Sequence, residues 1–321
     1  MPEHDDAGRP RRRRAETAPV DDGVHLDPAA LRAQDDVLAE LEVAGVAVAV
    51  YRAGATLPVR LSPRPFLHPV RTVSGTAVTD AGPQDHRWHL GASVAVQGVG
   101  GANVWGGRTY RRGRGYVWLD DHGRVTHEGW RLRSADHLVE DLRWRAADGA
   151  ELLAEQRELR ASASADVPRA WVLELAVELR STSRDPLALT SPATEGRAGA
   201  GYGGLFWRLP RSARPPRVRT SRAVGERAVH GSLAPWLAWS GDAGDDASPF
   251  TLVLAGVDDA TRTDPWFVRA EEYPGVGASL AAVEPLRLLP GEVVRRRWRV
   301  LVADGLPADD EVERWGDAVG R

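Results

Sequence analysis

The sequence predicts an all-β fold, a large antiparallel β-sandwich with few short helices. Large apolar residues occupy every second position of Trp171–Leu179, which is typical of a strand with one buried face. Short apolar runs recur along the chain, and turn clusters such as 183–186, 240–246 and 289–292 separate them. Because few stretches have helical spacing, we expect antiparallel strands rather than βαβ units.

The chain divides into three parts by composition. Residues 1–22 are charged and aperiodic, so we expect a disordered tail. We expect a single β-sandwich domain over 23–308 and a short helix or tail over 309–321. Near the start of the domain, Asp27 precedes a loose apolar stripe that predicts a short helix over Pro28–Leu41.

The remaining elements are predicted as strands. Val43–Tyr51 is rich in β-branched residues, and Leu57, Val59 and Leu61 alternate with other residues. The Asp-Asp-His-Gly turn at 120–123 lies between two apolar stretches and predicts a hairpin. Further strands are expected at 138–145, 151–159, 171–179, 205–208, 251–257 and 293–302.

Composition excludes several classes of function. The net charge of −3 gives no overall attraction to nucleic acid or acidic membranes. The absence of cysteine excludes disulfides and thiolate nucleophiles, and the absence of lysine excludes a lysine Schiff base. No apolar segment follows the basic N-terminal residues and no stretch reads as a membrane span, so the cytoplasm is the expected location.

Candidate functional residues gather between Phe66 and Trp130. Five of the nine histidines lie there, among glycines that let the backbone bend and let a ligand approach closely. We therefore expect the working surface in this stretch. Its candidate residues are His68, Arg71, Asp80, Asp85, His86, His89, Asn103, Trp105 and Arg108.

The spacing of His86 and His89 leaves three interpretations open. On a helical turn both rings would face one metal ion, whereas on a strand they would point to opposite faces. They are equally suited to acid–base chemistry or substrate binding, because imidazole titrates near neutrality. The third interpretation is a structural role. His68 precedes Pro69, which favours an extended backbone there.

An aromatic ring and hydrogen-bonding groups follow closely in the run from Asn103 to Arg108. Sugar sites need these groups, since aromatic faces stack on pyranose rings while amides and guanidinium groups bind hydroxyls. A Trp buried in the core is the alternative interpretation. Two later clusters add a second set of candidates: Glu195, Tyr202 and Arg208, then Trp266, Arg269 and Glu272. Glu271 and Glu272 are adjacent, so on one strand at most one of them would face a pocket.

Several of these segments resemble a bacterial PmoA-like family of unknown function. The strings that carry the resemblance are RPFLHPVRTVSGTAVTD (64–80), DHRWHLG (85–91), NVWGGRTYRRGRGYVWLDDHGR (103–124), HEGW (127–130), SPATEGRAGAGYGGLFWR (191–208), DPWFVR (264–269) and LVADG (301–305). The activity of the methane monooxygenase subunit that the family name echoes is not expected, because the chain lacks its hydrophobic spans. The resemblance implies a setting in sugar catabolism.

The resemblance also implies a fold similar to the large sandwich of galactose mutarotases, in which a His acts as acid and a Glu as base. Arg87 and Trp88 stand where members of the family often have Pro and His, which leaves His86 and His89. On these grounds we expect His86, His89 or His68 to act with Glu195 or Glu272 as the catalytic groups.

The leading functional hypothesis is a carbohydrate-active or carbohydrate-binding protein. As an enzyme it would be an isomerase, lyase or hydrolase that moves protons at a sugar or keto-sugar carbon. The first alternative is a non-catalytic sugar sensor or accessory protein. The second is a metal-dependent enzyme with His68, His86 and His89 as ligands of a divalent ion. No other cofactor is expected, the expected partner is a small carbohydrate, and the oligomeric state is not predicted.

Overall fold

Two large antiparallel sheets and two small ones form the protein, and the computed structural model describes residues 26–244 and 248–321. The predicted tail at 1–22 lies outside the described residues. In chain order the strands are β1 (Val37–Val43), β2 (Val46–Arg52), β3 (Phe66–Val70), β4 (Ala92–Ala95), β5 (Gly98–Val99), β6 (Thr109–Arg111), β7 (Gly115–Val117), β8 (Arg124–Arg133), β9 (His137–Arg145), β10 (Glu151–Ala163), β11 (Ala170–Ser181), β12 (Leu187–Thr190), β13 (Gly204–Arg208), β14 (Arg217–Thr220), β15 (Trp236–Asp242), β16 (Pro249–Gly256), β17 (Trp266–Arg269), β18 (Gly275–Ser279), β19 (Leu286–Leu288) and β20 (Val293–Asp304).

The strand order defines the two layers. The seven-stranded sheet runs β1-β2-β3-β4-β13-β18-β17, and the eight-stranded sheet runs β14-β15-β16-β20-β11-β10-β9-β8. The small sheets are β19-β12-β5 and β6-β7. The α-helices are α1 (Glu226–Val229) and α2 (Asp309–Val319), and short 3-10 turns lie at Gln34–Asp36, Val59–Leu61 and Thr261–Thr263. The predicted fold class, an all-β antiparallel sandwich with few short helices, is confirmed.

The hydrophobic core fills the space between the two large sheets. One continuous cluster joins Leu173 and Trp298 of the eight-stranded sheet to Val94 and Trp207 of the seven-stranded sheet. Alternation along each strand explains this arrangement, since successive side chains point to opposite faces. In β13, Leu205 and Trp207 therefore point into the core while Phe206 and Arg208 point outward.

Helix α2 covers part of the outer face of the eight-stranded sheet. Val312 and Val319 pack on a second apolar cluster that includes Trp236 and Leu301. Gly316 allows the close approach, because a Cβ there would lie 2.3 Å from the Trp236 ring. Among the described residues, no helix combines the length and the apolar character that crossing a bilayer requires.

Charged side chains form a buried network inside the sandwich. Arg157 binds Glu155 with Nε at 2.7 Å and Nη2 at 3.0 Å, and its Nη1 donates to the Tyr51 hydroxyl at 3.0 Å. Tyr51 in turn donates to Glu140, and Trp144 Nε1 donates to Glu155 at 2.6 Å. Although burial opposes it, the carboxylates of Glu155 and Glu140 raise the pKa of Arg157. We call these residues the core network.

Three local predictions were wrong, and strand pairing explains the first and the last. The stretch predicted as a helix over Pro28–Leu41 ends in strand β1, which pairs with β2 through Leu41 and Ala49. Residues 57–61 form a turn instead of a strand. The Asp-Asp-His-Gly turn makes no hairpin, because β7 pairs with β6 and β8 pairs with β9. Helix α2 forms where the sequence predicts a short helix, and the division into one domain stays a prediction.

Candidate functional site

A pocket lined by aromatic rings lies on the outer face of the seven-stranded sheet. Its volume of about 350 Å³ falls at the lower end of the range typical of small-molecule sites. Strand β17 supplies Phe267 and Arg269, strand β7 supplies Tyr116, and loops supply the rest of the lining. The aromatic pocket, as we call it, is lined by Asp85, His86, Trp88, His89, Trp105, Gly106, Arg108, Tyr116, Arg197, Tyr202, Phe267, Arg269, Glu272 and Tyr273.

His86 is oriented by a carboxylate. Its Nδ1 lies 3.0 Å from Asp85 Oδ2, while Arg208 reaches both Asp85 oxygens at 3.2 Å and Arg211 reaches Oδ2 at 3.3 Å. Burial would raise the pKa of Asp85, but the hydrogen bond from His86 and the two guanidinium charges hold it below its usual range. Because an ionised carboxylate only accepts, we assign the proton to Nδ1, which leaves Nε2 of His86 for a ligand.

His89 is buried directly against His86. The two imidazole rings stack with centroids 4.6 Å apart and planes 16° apart. Arg208 Nη1 lies 3.3 Å from His89 Nδ1, and a guanidinium can only donate, so Nδ1 accepts and Nε2 carries the proton. Burial, with the charges of His86 and Arg208, holds the pKa of His89 well below its usual value. His89 is therefore neutral at neutral pH.

Two indole rings pack against the histidines. Trp105 meets His89 edge-to-face at a centroid distance of 5.7 Å and an angle of 83°. Trp88 meets His86 in the same manner at 5.3 Å and 71°. Edge-to-face contacts of this kind are favoured by the ring quadrupoles. The indoles therefore present apolar surface next to imidazole nitrogens.

Buried polar groups hold these indoles in place. Asn103 Oδ1 accepts the backbone N–H of Trp105 at 2.9 Å, which closes the turn that presents the indole. Gly107 has a φ of +70°, and a Cβ there would lie 2.6 Å from the Trp88 ring, so only glycine fits. The fully buried Arg64 donates to the carbonyl oxygens of Trp88 at 2.9 Å and Trp105 at 3.1 Å. One guanidinium therefore positions both indoles.

A chain of hydroxyl groups forms another side of the pocket. Gln97 Nε2 donates to the Tyr202 hydroxyl at 2.9 Å, and the hydroxyls of Tyr202 and Tyr116 lie 3.0 Å apart. Arg197 Nη1 donates to Tyr116 at 2.6 Å. Burial raises the pKa of Tyr202 well above its usual value, so its hydroxyl stays protonated. These groups can donate to or accept from the hydroxyls of a ligand.

The pocket contains eight of the predicted site residues. They come from three distant parts of the sequence, and the fold brings them to one cavity: Asp85, His86, His89, Trp105, Arg108, Tyr202, Arg269 and Glu272. Glu272 lies in a bend rather than on a strand, and its side chain is exposed.

Two predicted binding residues act from behind the pocket. Arg208 is fully buried, and its guanidinium donates hydrogen bonds to Asp85 and His89. Asn103 is fully buried in the turn that holds Trp105. Neither lines the pocket, so we interpret both as positioning residues.

Five further predicted residues lie elsewhere because their own contacts hold them. His68 Nδ1 is 3.0 Å from the Thr79 hydroxyl, and Arg71 donates to the Gly75 carbonyl at 2.9 Å. Asp80 and Glu195 each line a different cleft. Trp266 points into the core, where Nε1 donates to the Ala234 carbonyl at 2.8 Å. The residues outside the aromatic pocket are His68, Arg71, Asp80, Glu195 and Trp266.

Five lining side chains were absent from the prediction: Trp88, Tyr116, Arg197, Phe267 and Tyr273. Phe267 and Tyr273 are sequence neighbours of predicted residues, and strand alternation through 266–269 places Phe267 on the same face as Arg269. Trp88 lies between the two histidines. Arg197 had no local signal, because its partner Tyr116 is 81 positions away.

The three histidines proposed as metal ligands are not assembled. His68 lies on strand β3 and contacts Thr79 of a later loop, whereas His86 and His89 stack on each other in the aromatic pocket. Within residues 26–244 and 248–321, no three His, Cys, Asp or Glu side chains are grouped so that they could hold a metal ion.

The chain belongs to a family described as "Family of unknown function (DUF6807)", whose model matches residues 39–315. The match covers both large sheets, except the first two residues of β1, and every segment that lines the aromatic pocket. A search of curated proteins finds no match to the chain.

Solved structures similar to the chain include α-galactosidases. The α-galactosidase from Lactobacillus brevis is 10% identical with a TM-score of 0.39, over 80% of this chain and 38% of that chain. The GH36 α-galactosidase AgaA from Geobacillus stearothermophilus is 11% identical with a TM-score of 0.28, over 72% of this chain and 32% of that chain. The chain spans about a third of the length of these structures, and likenesses this low carry no argument about its activity.

Proposed function

We propose that the aromatic pocket binds a small carbohydrate and that His86 moves a proton on it. The proposal is an isomerase, lyase or hydrolase acting at the anomeric carbon or at a carbon next to a carbonyl. The observation that carries it is the Asp85–His86 pair, with Nδ1 of His86 at 3.0 Å from the carboxylate at the edge of an aromatic cavity. The PmoA-like assignment and a cytoplasmic location stay predictions.

The pair has the arrangement that acid–base catalysis requires. Asp85 fixes the tautomer and ring orientation of His86, and its negative charge stabilises the imidazolium form once Nε2 has taken a proton. Glu272 supplies a second carboxylate on the pocket lining. His86 and Glu272 can then serve as the acid and the base for one sugar bound in the pocket.

The lining supports a carbohydrate as the ligand. The partly exposed indole of Trp88 suits the C–H-rich face of a pyranose ring. Trp105 is 2% exposed and packs on Tyr202 and Phe206, so it is the buried indole of the alternative interpretation and supports the pocket from below. The hydroxyls of Tyr116 and Tyr202 and the guanidinium of Arg108 suit its hydroxyl groups. A site with apolar walls and a few convergent polar groups is the usual form of a small-molecule pocket.

Solvent-proton exchange tests the proposal without knowledge of the product. The protein is incubated in D₂O with a panel of monosaccharides and keto-sugars, and NMR follows the loss of C–H signals or the appearance of new species. We expect His86→Ala to lower the rate by on the order of a hundred- to ten-thousand-fold. His137→Ala is the matched control, because His137 also pairs with a carboxylate, Glu158 at 2.8 Å, but on the eight-stranded sheet.

The outcomes separate the candidate functions. An equal rate in His86→Ala would remove His86 from the mechanism. A sugar that raises the melting temperature but is never altered would support the sensor or accessory protein instead. If no carbohydrate either stabilises the protein or is altered by it, the proposed function is wrong.

A further inference from the structure

The positive charges of the aromatic pocket exceed the negative charges that could neutralise them. Three guanidinium groups line it, those of Arg108, Arg197 and Arg269. Its carboxylates are Asp85, which Arg208 and Arg211 already neutralise from behind, and the exposed Glu272. Charges of one sign close together in a site of low dielectric repel one another, and an anionic ligand would relieve this repulsion.

The three arginines also have donors to spare. Arg108 lies with its guanidinium carbon 5.8 Å from the Trp118 ring, and no carboxylate of the described residues lies within 4 Å of it. Arg197 uses Nη1 on the Tyr116 hydroxyl at 2.6 Å and likewise has no carboxylate partner in the part of the chain that the structure describes. A guanidinium carries five N–H donors and binds a carboxylate or phosphate through two at once.

Arg269 is the most occupied of the three. Its Nη2 donates to the Gly199 carbonyl at 2.7 Å and its Nη1 to the Val268 carbonyl at 2.8 Å. The carboxylate nearest to it, that of Glu226, is 3.9 Å from Nη1 and also accepts the backbone N–H groups of Ala270 and Glu271. Arg269 therefore contributes positive charge to the pocket wall, while Arg108 and Arg197 have N–H donors left with which to bind a ligand directly.

We infer that the ligand of the aromatic pocket is an anionic carbohydrate, held by Arg108 and Arg197 through a carboxylate or phosphate group. This inference rests on the proposed carbohydrate function and names its substrate class. Trp88 then contacts the sugar ring while the anionic group lies toward the arginines. The proton-transferring His86 faces the same cavity.

Calorimetric titration with matched ligand pairs tests the inference. The probes are glucose against glucuronate and glucose 6-phosphate, and galactose against galacturonate, with sodium acetate and inorganic phosphate as anions without a sugar. We expect an acidic sugar to bind at least about ten-fold more tightly than its neutral partner, since a charge-assisted hydrogen bond is worth that much. The preference for uronate or for sugar phosphate identifies the anionic group.

Charge-removing variants locate the effect. Arg108→Gln and Arg197→Gln should each lower affinity for the acidic sugar by about ten-fold and leave affinity for the neutral sugar nearly unchanged. Arg131→Gln is the control, because Arg131 pairs with Asp141 on the eight-stranded sheet. Unchanged melting temperatures show that each variant folds, and a weaker preference at high salt is expected in the wild type.

Each result decides between the two proposals. Equal affinity for acidic and neutral sugars overturns the anionic ligand but leaves the carbohydrate function standing. Acetate or phosphate binding that needs Arg108, with no sugar bound, overturns the carbohydrate function and keeps the anion site. Binding of acidic sugars that neither arginine variant weakens assigns the preference to another surface and overturns the inference.

Discussion

Charged residues lie on both sides of the seven-stranded sheet, and the two groups differ in how they are satisfied. On the inner side, the core network surrounds Arg157 with Glu155 and the Tyr51 hydroxyl, and both members of the Arg157–Glu155 pair are at most 2% exposed. On the outer side, Arg108 and Arg197 have no carboxylate partner among the described residues and face an open cavity. The core network lies on strands that face the space between the sheets, whereas Arg108 and Arg197 lie in loops on the outer side.

The difference shows which charges indicate a binding site. Burial and strong interactions are greatest in the core network, yet its donors and acceptors are used within the protein, so it has nothing to offer a ligand. The aromatic pocket has spare donors, a histidine with one nitrogen free, and a shape that admits a molecule. Unused hydrogen-bonding capacity in a cavity is therefore the better indicator of function.

The largest expected effect is on the core network. Glu155→Ala leaves Arg157 buried without its bidentate partner and removes the acceptor of Trp144 Nε1. We expect the free energy of unfolding to fall by about 3–5 kcal/mol, as measured by urea denaturation. Glu158→Ala, on the other face of the same strand, should cost within about 1 kcal/mol because its partners are near the surface. Similar losses in both variants would contradict the comparison.

A smaller effect distinguishes the structural His68 from the histidines of the pocket. Burial, followed by the charges of Arg52 and Arg71, lowers the pKa of His68 to about 4, against about 6.5 in an unfolded chain. Between these values the unfolded chain binds a proton that the folded chain does not, so stability falls as the pH falls.

His68→Gln should therefore lose less stability than the wild type between pH 7 and pH 4, by up to about 3 kcal/mol. Urea denaturation at several pH values measures the difference. Ligand affinity at pH 7 should not change, because His68 lies outside the pocket. A pH dependence identical to that of the wild type, or a loss of ligand binding, would return His68 to the candidate site.

The sequence predicts those strands whose apolar residues follow a recognisable pattern along the chain. Strand β11 alternates almost ideally, β10 alternates in part, and β20 is a long apolar and charged run, so each was expected close to its observed bounds. The helix predicted over Pro28–Leu41 was wrong, because the apolar residues of this stretch fit a helix as well as a strand. Only pairing with β2 decides between them.

The candidate site follows the same rule. Unusual residue types concentrated in one stretch pointed to His86, His89 and Trp105, which all lie at the aromatic pocket, while their function stays a prediction. Successive residues of the strand at 264–269 point to opposite faces of the sheet, so one of Trp266 and Phe267 faces the core. The sequence does not indicate which of the two faces is buried. Contacts between distant segments, such as that of Arg197 with Tyr116, have no local pattern to reveal them.

Two tyrosine hydroxyls provide the closest matched test of the comparison between core and pocket. The Tyr51 hydroxyl bonds both Arg157 and Glu140 in the core network. The Tyr273 hydroxyl makes no hydrogen bond within residues 26–244 and 248–321, and its ring lies 4.4 Å from His86 on the pocket lining. Burial raises the pKa of both, so both are neutral hydroxyls.

Removal of one oxygen from each should therefore have opposite consequences. Tyr51→Phe should lower the free energy of unfolding by about 1.5–3 kcal/mol, because it removes hydrogen bonds to charged groups, and should leave ligand affinity unchanged. Tyr273→Phe should change stability by less than about 0.5 kcal/mol but weaken binding by about 0.5–1.5 kcal/mol, the usual net value of one hydrogen bond to a ligand. Urea denaturation and calorimetric titration of both variants measure the two quantities. Tyr273→Phe could instead lower stability as much as Tyr51→Phe does. The polar groups of the pocket would then stabilise the fold as those of the core network do, and the proposal that the pocket binds a ligand would be wrong.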